Sequence, residues 1–186
     1  MNVHSTAPTD PEAFLRWNEG REGKYELVKG RVVQMMTGAT WGHARRIRQL
    51  ARVLEDRLDG ALFEVATIDI GVRTPAGVRY PDILVDRCGN DPESLVASAP
   101  VLIIEVLSPS SIAIDMVEKA AEYTSLPSLC AYIVMAQHDP NMWVWLRDDD
   151  LWRGPTKVDG ETEHIEVTLL GLAIPFKEFY PDFRTE

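Results

Sequence analysis

Apolar residues recur with two different periods along this chain, and together these periods predict a fold that mixes helices with strands. Apolar positions three or four residues apart, as on one face of a helix, occur in segments 12–19, 40–58 and about 112–124. Aliphatic or alternating runs, which are typical of strands, occur in segments 24–36, 62–72, 78–85, 101–107, 131–135, 142–146 and 163–169. This order predicts an α/β protein with a mixed β-sheet flanked by α-helices.

Individual residues mark several boundaries of these elements. Asp10 followed by Pro11 predicts a helix start, with a capping side chain and a proline at the first helical position. Lys29 and Gly30 predict a tight turn between two strands within 24–36, and Gly60 is a candidate C-cap for the second helix. The run 101–107 is nearly all aliphatic, which favours a central strand covered on both faces.

The composition indicates one globular domain spanning residues 1–186. Hydrophobic residues make up 45% of the chain and charged residues 26%, without an internal repeat, linker or low-complexity tract. No apolar run approaches the ~20 residues that a transmembrane helix needs, and no secretory signal is visible. Cys88 and Cys130 fit no metal-ligand spacing. We therefore expect a cytoplasmic protein with reduced thiols and no membrane partner.

The formal net charge of −10 argues against tight, indiscriminate binding of nucleic acid, whose phosphates are neutralised by basic side chains. The charge is uneven, however, because one short stretch concentrates four arginines: Arg45, Arg46, Arg48 and Arg52. Arg45, Arg48 and Arg52 share one helical face. They could contact a phosphate backbone, or they could form a solvated or subunit-facing stripe.

Two acidic residues interrupt aliphatic runs and are the main candidates for chemistry. Glu105 lies within Val-Leu-Ile-Ile-Glu-Val-Leu, where a buried carboxylate needs a cation, a metal or access to solvent. Asp82 heads the run that follows Pro81, and an aspartate in such a place by itself more often has a turn or capping role than a ligand role. Two such acids on adjacent strands could converge on one hard cation such as magnesium.

The predicted helix after Glu105 supplies a third group. Asp115, Lys119 and Tyr123 are spaced four residues apart and therefore lie on one helical face. An ordinary salt bridge between Asp115 and Lys119 on a solvated surface is the alternative to a functional role.

These residues together resemble a restriction-endonuclease family of the PD-(D/E)XK nuclease superfamily, a family defined as a domain of unknown function. The resemblance covers roughly residues 24–145. It rests on Pro81-Asp82, on the strand that ends in Glu105-Val106-Leu107-Ser108-Pro109-Ser110, and on the spacing of the three helical residues. Tyr25-Glu26-Leu27-Val28-Lys29-Gly30 is similar to the family's opening hairpin, and His43 falls where members often carry a histidine at the start of a long helix.

The resemblance implies a restriction-endonuclease-like fold and a magnesium cofactor, with manganese as a substitute. Asp82 and Glu105 would hold the metal, with the backbone carbonyl of Val106 as a further ligand. Lys119 would act as the catalytic cation. Asp115 and Tyr123 would assist it from the same helix.

Two further residues have weaker implied roles. Glu26 would add a ligand from the hairpin, or would be a surface glutamate of a strand. His43 would contact a phosphate or the metal shell, or would be structural.

The chain departs from the superfamily's simplest motif at one position. The motif has a lysine two residues after the second acid, and this chain has Leu107 there. We expect Lys119, one helix later, to bring its ammonium back to the same place and to point into the cleft rather than lie along its helix against Asp115. Arg79 is the first substitute if it does not.

The expected function is that of a magnesium-dependent endonuclease acting on DNA; the alternative is a non-catalytic nucleic-acid-binding or assembly module that retains the fold. Because a small enzyme with one site must pair to cut both strands of a duplex, we expect a homodimer. Trp143, Trp145 and Trp152 are a candidate apolar surface for it, although filling the core is an equally open role.

Overall fold

The computed structural model describes residues 7–35, 38–107, 114–137, 139–159 and 164–180. Its α-helices are α1 (Pro11–Asn18), α2 (Trp41–Arg57), α3 (Ala120–Thr124) and α4 (Phe176–Phe179), and a π-helical segment (Ile114–Lys119) runs directly into α3. Its strands are β1 (Lys24–Val28), β2 (Arg31–Met35), β3 (Phe63–Thr67), β4 (Val72–Thr74), β5 (Gly77–Arg79), β6 (Ile83–Arg87), β7 (Leu102–Leu107), β8 (Ala131–Ala136), β9 (Met142–Asp148), β10 (Leu151–Val158), β11 (His164–Val167) and β12 (Leu172–Pro175).

The main sheet has six strands in the order β10-β9-β8-β7-β6-β3. Strands β7 and β8 are parallel, and the other neighbouring pairs are antiparallel, so the predicted mixed sheet is confirmed. All six residues of β7 are buried, as expected for a central strand whose two faces are both covered.

Helices cover both faces of this sheet. On one face α2 contributes Ile47, Leu50 and Leu54 to a core that includes Ile104 and Val106 of β7. On the other face α3 contributes Ala120 and Tyr123 to a separate core with Ile103 and Leu107. Successive residues of β7 therefore point to different helices, which is the usual alternation of side chains along a strand.

A second, smaller sheet has the order β2-β1-β5-β4, and its core includes Phe14 of α1, Leu27 of β1 and Val78 of β5. Helix α1 begins as predicted, since the Asp10 side chain accepts a hydrogen bond of 2.9 Å from the amide of Ala13. The hairpin of β1 and β2 is also confirmed, and its turn at Lys29 and Gly30 has positive φ angles. This small sheet brings Glu26 and Arg79 towards the end of β7.

Several expected boundaries are wrong. Segment 62–72 is not one strand, because Ile68 adopts a φ of 65° and ends β3. Segment 78–85 divides into β5 and β6, which belong to different sheets. Helix α2 ends at Arg57 and its C-cap is Leu58, in an extended conformation, so Gly60 is not the C-cap. Strands β10 and β12 were missed, and residues 108–113, which contain the predicted helix start at 112, lie outside the described residues.

The expected aromatic surface is not exposed. Trp145 is buried, and Trp143 and Trp152 are partly buried and pack against the same core. These residues therefore fill the core, which was the alternative to an apolar surface for a dimer. Separately, none of the helices in the described part of the chain is long and apolar enough to cross a membrane.

Candidate active site

Glu105 lies in the middle of the main sheet and is only 4% exposed. Its carboxylate accepts a hydrogen bond of 2.8 Å from Lys119 Nζ and one of 3.3 Å from the Tyr123 hydroxyl, both on Oε1. Both partners come from the helical stretch that covers this face of the sheet. The buried acid that the aliphatic run predicted is thus satisfied by an ion pair, and an edge-exposed position is excluded.

Lys119 lies at the junction of the π-helical segment with α3 and is itself 4% exposed. Besides Glu105, its ammonium lies 3.1 Å from Asp115 Oδ1 and 4.0 Å from Glu26 Oε1. Lys119 therefore reaches Glu105 as expected, but it contacts Asp115 of its own helix as well. A salt bridge on a solvated surface is excluded, because Asp115 is also buried.

The location of Lys119 also explains why Leu107 can stand at the motif's lysine position. Leu107 lies two residues after Glu105 on the same face of β7, and it packs in one core with Ala120 and Tyr123. The helix that carries Lys119 thus covers the face on which a lysine at position 107 would lie. The ammonium arrives from the helix instead of from the strand.

Asp82 lies beside Glu105 of β7, directly before the neighbouring strand β6 begins. Ile83, at the start of β6, pairs with Ile104, so Asp82 is next to the backbone of Glu105 and Val106. Asp82 Oδ2 accepts a hydrogen bond of 2.8 Å from the Val106 amide. The two acids are therefore neighbours near the carboxyl end of β7, and their joint binding of a metal stays a prediction.

His43 reaches the same place from the opposite face of the sheet. Its Nε2 lies 3.1 Å from the carbonyl oxygen of Val106 and 3.4 Å from Asp82 Oδ2. The hydroxyl of Thr40 caps α2 by accepting from the His43 amide, which fixes the histidine in the first turn of α2. The Nδ1 atom of His43 is buried without a hydrogen-bond partner among the described residues.

A second group of charged side chains surrounds the ion pair of Glu105 and Lys119, which we call the inner pair, and holds it in place. Arg79 donates to Glu26 Oε2 at 2.9 Å and binds both carboxylate oxygens of Glu122 at 2.5 and 2.8 Å. The other carboxylate oxygen of Glu26 accepts from the Tyr80 amide at 3.2 Å. Arg79 therefore ties the small sheet to α3, and Lys119 is the residue directly before α3.

This buried network carries more negative than positive charge. Its acids are Glu26, Glu105, Asp115 and Glu122, and its cations are Arg79 and Lys119. Four carboxylates against two cations leave two uncompensated negative charges when all groups are ionised. Oδ1 of Asp115 is buried 3.1 Å from the Lys119 ammonium and has no hydrogen bond of good geometry to any of the described residues.

The surroundings shift the protonation of both members of the inner pair. Burial raises the pKa of Glu105 to about 8, although the Lys119 ammonium opposes this effect; Asp82 and Asp115 add to it. Burial also disfavours the charge on Lys119, but the carboxylates of Glu105, Glu26 and Asp115 outweigh it and raise the pKa of Lys119. Lys119 is therefore the firmly charged partner, and Glu105 is the one that can take up a proton.

The pKa of His43 is raised as well. The main cause is its hydrogen bond to Asp82, which outweighs the opposing effect of burial, and the contact with the Val106 carbonyl acts in the same direction. The imidazolium form is thus favoured beside the two oxygen atoms that the family resemblance assigns to a metal.

The site offers carboxylate and carbonyl oxygens, the type of ligand that a hard cation prefers, but only a few side chains provide them. Within the described residues there is no group of three or more His, Cys, Asp or Glu side chains arranged to hold a metal ion. Asp82, Glu105 and the Val106 carbonyl offer two carboxylates and one backbone oxygen. Magnesium is commonly held by one or two carboxylates while it keeps several waters, so this donor set fits it.

The structure brings all of the sequence-predicted site residues together around the end of β7. Glu26 is 1% exposed and belongs to the network, so its interpretation as a surface glutamate is wrong. Glu122 and Tyr132 were missed; the Tyr132 hydroxyl donates to the backbone carbonyl of Asp115 at 2.9 Å. The four-residue spacing of Asp115, Lys119 and Tyr123 gave no signal for either.

The chain is similar to a described protein family and to other proteins. The model of the Uma2 family, described as "Putative restriction endonuclease", matches residues 11–177. In Synechocystis sp. (strain ATCC 27184 / PCC 6803 / Kazusa), the uncharacterized protein slr1290 is 29% identical over 157 residues, covering 81% of this chain and 82% of that protein. The uncharacterized protein sll1609 of the same organism is 25% identical over 175 residues, covering 91% of this chain and 98% of that protein.

A solved structure has the same fold. It is the crystal structure of "a putative nuclease belonging to DUF820" from Anabaena variabilis ATCC 29413, with a TM-score of 0.69 and 15% sequence identity. The similarity covers 94% of this chain and 98% of that one. At this identity, the likeness establishes the fold alone.

Proposed function

The chain belongs to the Uma2 family, and on that premise we propose that it is a magnesium-dependent endonuclease that hydrolyses phosphodiester bonds in DNA. The observation that carries this proposal is the meeting of Asp82, Glu105 and Lys119 at one strand end. Lys119 Nζ lies 2.8 Å from Glu105, and Asp82 is bound to the amide of Val106.

Asp82, Glu105 and the carbonyl of Val106 would hold the metal, and manganese could take the same oxygen ligands. When bound, the ion would supply Lewis acidity to the scissile phosphate and lower the pKa of a water. The excess of acidic over basic side chains in the buried network supports the uptake of a cation here.

The side chains of the chain itself have separate tasks in this proposal. Lys119 orients Glu105 and opposes the rise of its pKa, and it offsets negative charge that develops on the phosphate in the transition state. His43, in its protonated form, would offer its Nε2–H to a phosphate oxygen after leaving the Val106 carbonyl and Asp82. Glu26 and Arg79 do not touch the substrate; they fix the position of Lys119 from the small sheet.

The alternative is a nucleic-acid-binding module without turnover, and one feature favours it. Each proposed ligand already has a partner: His43 Nε2 contacts both the Val106 carbonyl and Asp82, and Lys119 binds Glu105. For a metal to bind, the His43 side chain has to yield these two oxygens. If it does not, the fold serves binding alone.

The decisive experiment measures cleavage and metal binding separately. Plasmid and short labelled duplexes are incubated with the chain in Mg²⁺, Mn²⁺ or EDTA, and Mn²⁺ binding is followed by calorimetry. We expect Asp82→Ala and Glu105→Ala to lose both cleavage and metal binding, because these carboxylates hold the ion. Glu166→Gln removes an exposed carboxylate on β11 and should change neither measurement.

Lys119 provides a sharper test of the mechanism. Lys119→Ala should abolish cleavage while leaving Mn²⁺ binding largely intact, since the carboxylates remain. Removing this ammonium leaves buried acids unpaired, which costs on the order of 3–5 kcal/mol, so the folded fraction is checked by circular dichroism. Lys119→Arg keeps the charge and serves as the second variant if Lys119→Ala does not fold. Cleavage at the normal rate by a folded Lys119→Ala variant would contradict the proposed role.

A further inference from the structure

The outer face of α2 carries an exposed tryptophan and three arginines in a row. Trp41 is 88% exposed, and Arg45, Arg48 and Arg52 are exposed as well. At 100° per residue these four positions fall within an arc of about 60°. We call them the α2 stripe.

Other basic and polar residues of the same helix bind neighbouring parts of the chain, unlike the arginines of the stripe. Arg46 donates to the Phe179 carbonyl at 2.7 Å, Gln49 donates to the Glu178 carbonyl at 2.9 Å, and Arg57 binds the Glu178 carboxylate. None of the three stripe arginines forms an ion pair with an acidic residue in the described part of the chain. The stripe is thus available to an outside anion.

An exposed tryptophan requires its own explanation. Large aromatic side chains bury much apolar surface when they pack, and leaving one in water forgoes that stabilisation. Trp41 stands at the first position of α2, two residues before His43, whose Nε2 contacts the end of β7. The ring therefore lies at the end of α2 that adjoins the candidate active site.

We propose that the α2 stripe binds an unpaired strand of nucleic acid, with a base stacked on Trp41 and phosphates held by Arg45, Arg48 and Arg52. An aromatic face beside a row of cations is the combination that single-strand binding surfaces use. The arginines are about 4.5 and 6 Å apart along the helix axis, a range that long side chains can match to successive phosphates. Base pairs in an intact duplex are stacked on one another, so the open ring of Trp41 selects an unpaired segment.

Charge complementarity also points to this face. The chain has a net charge of −10, so an anionic strand is repelled by most of its surface and attracted by this local group of three positive charges. The stripe lies on the side of α2 opposite Ile47, Leu50 and Leu54, which face the sheet. It is therefore an anchoring surface outside the candidate active site, from which a strand reaches that site by passing over the first turn of α2.

This inference deepens the proposed nuclease function by naming the substrate segment, but its test is independent of catalysis. A fluorescein-labelled 12-nucleotide single strand is titrated with the chain in EDTA, and anisotropy reports binding. We expect Arg45→Ala/Arg48→Ala/Arg52→Ala to weaken binding at least tenfold and to reduce the slope of log affinity against log salt by about 2. Trp41→Ala should weaken binding about tenfold with little change in the salt slope.

The matched control removes three exposed arginines elsewhere, namely Arg31, Arg87 and Arg153. It changes the net charge by the same amount and should weaken binding much less than the stripe variant. Equal losses in both triple variants, unchanged binding by Trp41→Ala, or tighter binding of duplex than of single strand would overturn the proposal. So would a stripe variant that changes the sedimentation coefficient, which would make the face a contact between copies of this chain.

Failure of the proposed nuclease function gives a different pattern. In that case no variant cleaves DNA in Mg²⁺ or Mn²⁺, while binding in EDTA still depends on the α2 stripe. If the nuclease function holds and the stripe does not bind, cleavage depends on Asp82 and Glu105, and the stripe variant cleaves a single strand with unchanged KM.

Discussion

Glu105 has the most unusual environment of the acidic residues described here. It is 4% exposed, it is bound to Lys119, and it lies close to two further carboxylates, those of Asp82 and Asp115. Burial and these carboxylates act together and raise the pKa of Glu105 to about 8, against the opposing Lys119 ammonium. Protonation of Glu105 is therefore coupled to the stability of the fold.

The sign of this coupling predicts a pH dependence. The folded state binds the Glu105 proton more tightly than the unfolded chain does, because the pKa rises from 4.5 to about 8. This contribution to the free energy of unfolding is fully present below pH 4.5 and is lost as the pH rises towards 8, by at most about 1.4 kcal/mol per pH unit. His43 has a raised pKa and changes stability in the same direction, from its ordinary value of 6.5 upwards.

The variant Glu105→Gln isolates this effect. It cannot ionise, so we expect its free energy of unfolding to rise relative to the original chain between pH 5 and 8, measured by urea denaturation in EDTA. His43 titrates in both proteins and its effect cancels in the difference. Two stability profiles that run parallel across this range would show that Glu105 is ionised throughout.

The role of a single residue could be predicted from the sequence only where that residue departs from the local pattern of apolar and polar positions. Asp82 and Glu105 interrupt aliphatic runs, so the sequence alone indicated that each needs a partner. Glu122 and Tyr132 violate nothing, because a charged residue on a helix and an aromatic residue in a strand are both ordinary. Their roles arise from contacts with Arg79 and with the Asp115 carbonyl, which only the folded chain brings near.

At the scale of elements, the predicted and the observed structure differ most instructively in the segment after β7. Its spacing predicted a regular helix, but Ile114–Lys119 is π-helical and only Ala120–Thr124 is α-helical. Such wide turns are rare and often occur at functional sites. The carbonyl of Asp115 accepts a hydrogen bond from Tyr132, a residue of β8, so a tertiary contact that no local pattern encodes engages this turn.

The turn between β4 and β5 positions the outer charge network and yields an element-scale prediction. Gly77 has a φ of 149°, and a Cβ atom there would lie 2.0 Å from the carbonyl oxygen of Leu27 in β1. Gly77→Ala must therefore push β5 away from β1 and shift Arg79, two residues later, from Glu26. We expect a loss of at least about 2 kcal/mol in the free energy of unfolding, measured by urea denaturation.

Gly60 offers the matched control for this substitution. No atom lies within 4 Å of a Cβ atom built at Gly60, and its φ is not in the left-handed region. Gly60→Ala should therefore leave stability within about 0.5 kcal/mol of the original chain. If Gly77→Ala is as mild as Gly60→Ala, the approach of β5 to β1 is not the constraint inferred here.

At the scale of the whole molecule, the architecture could be predicted better than the connections within it. Aliphatic runs separated by helical spacing gave the mixed sheet and the helices on its faces. The division of segment 78–85 between two sheets was not predicted, because only three residues separate β5 from β6 and each strand has a pairing partner that lies far away in the sequence. That division is what brings Arg79 into the outer network while Asp82 reaches the inner site.

The homodimer remains a prediction, and the structure changes which surface we expect the two subunits to share. Trp143, Trp145 and Trp152 are occupied in the core, whereas Val117 is 66% exposed and lies two residues before Lys119. Two sites can act on the two strands of one duplex only if the subunits meet beside those sites, and Val117 is an exposed apolar residue in that position. We expect a two-fold dimer at high micromolar concentration in sedimentation velocity, and Val117→Glu should dissociate it. As a control, Leu151→Glu alters another exposed apolar residue, on the edge strand β10, and should leave the dimer intact. This arrangement would be contradicted if the unsubstituted protein were monomeric or if the Val117→Glu variant stayed dimeric.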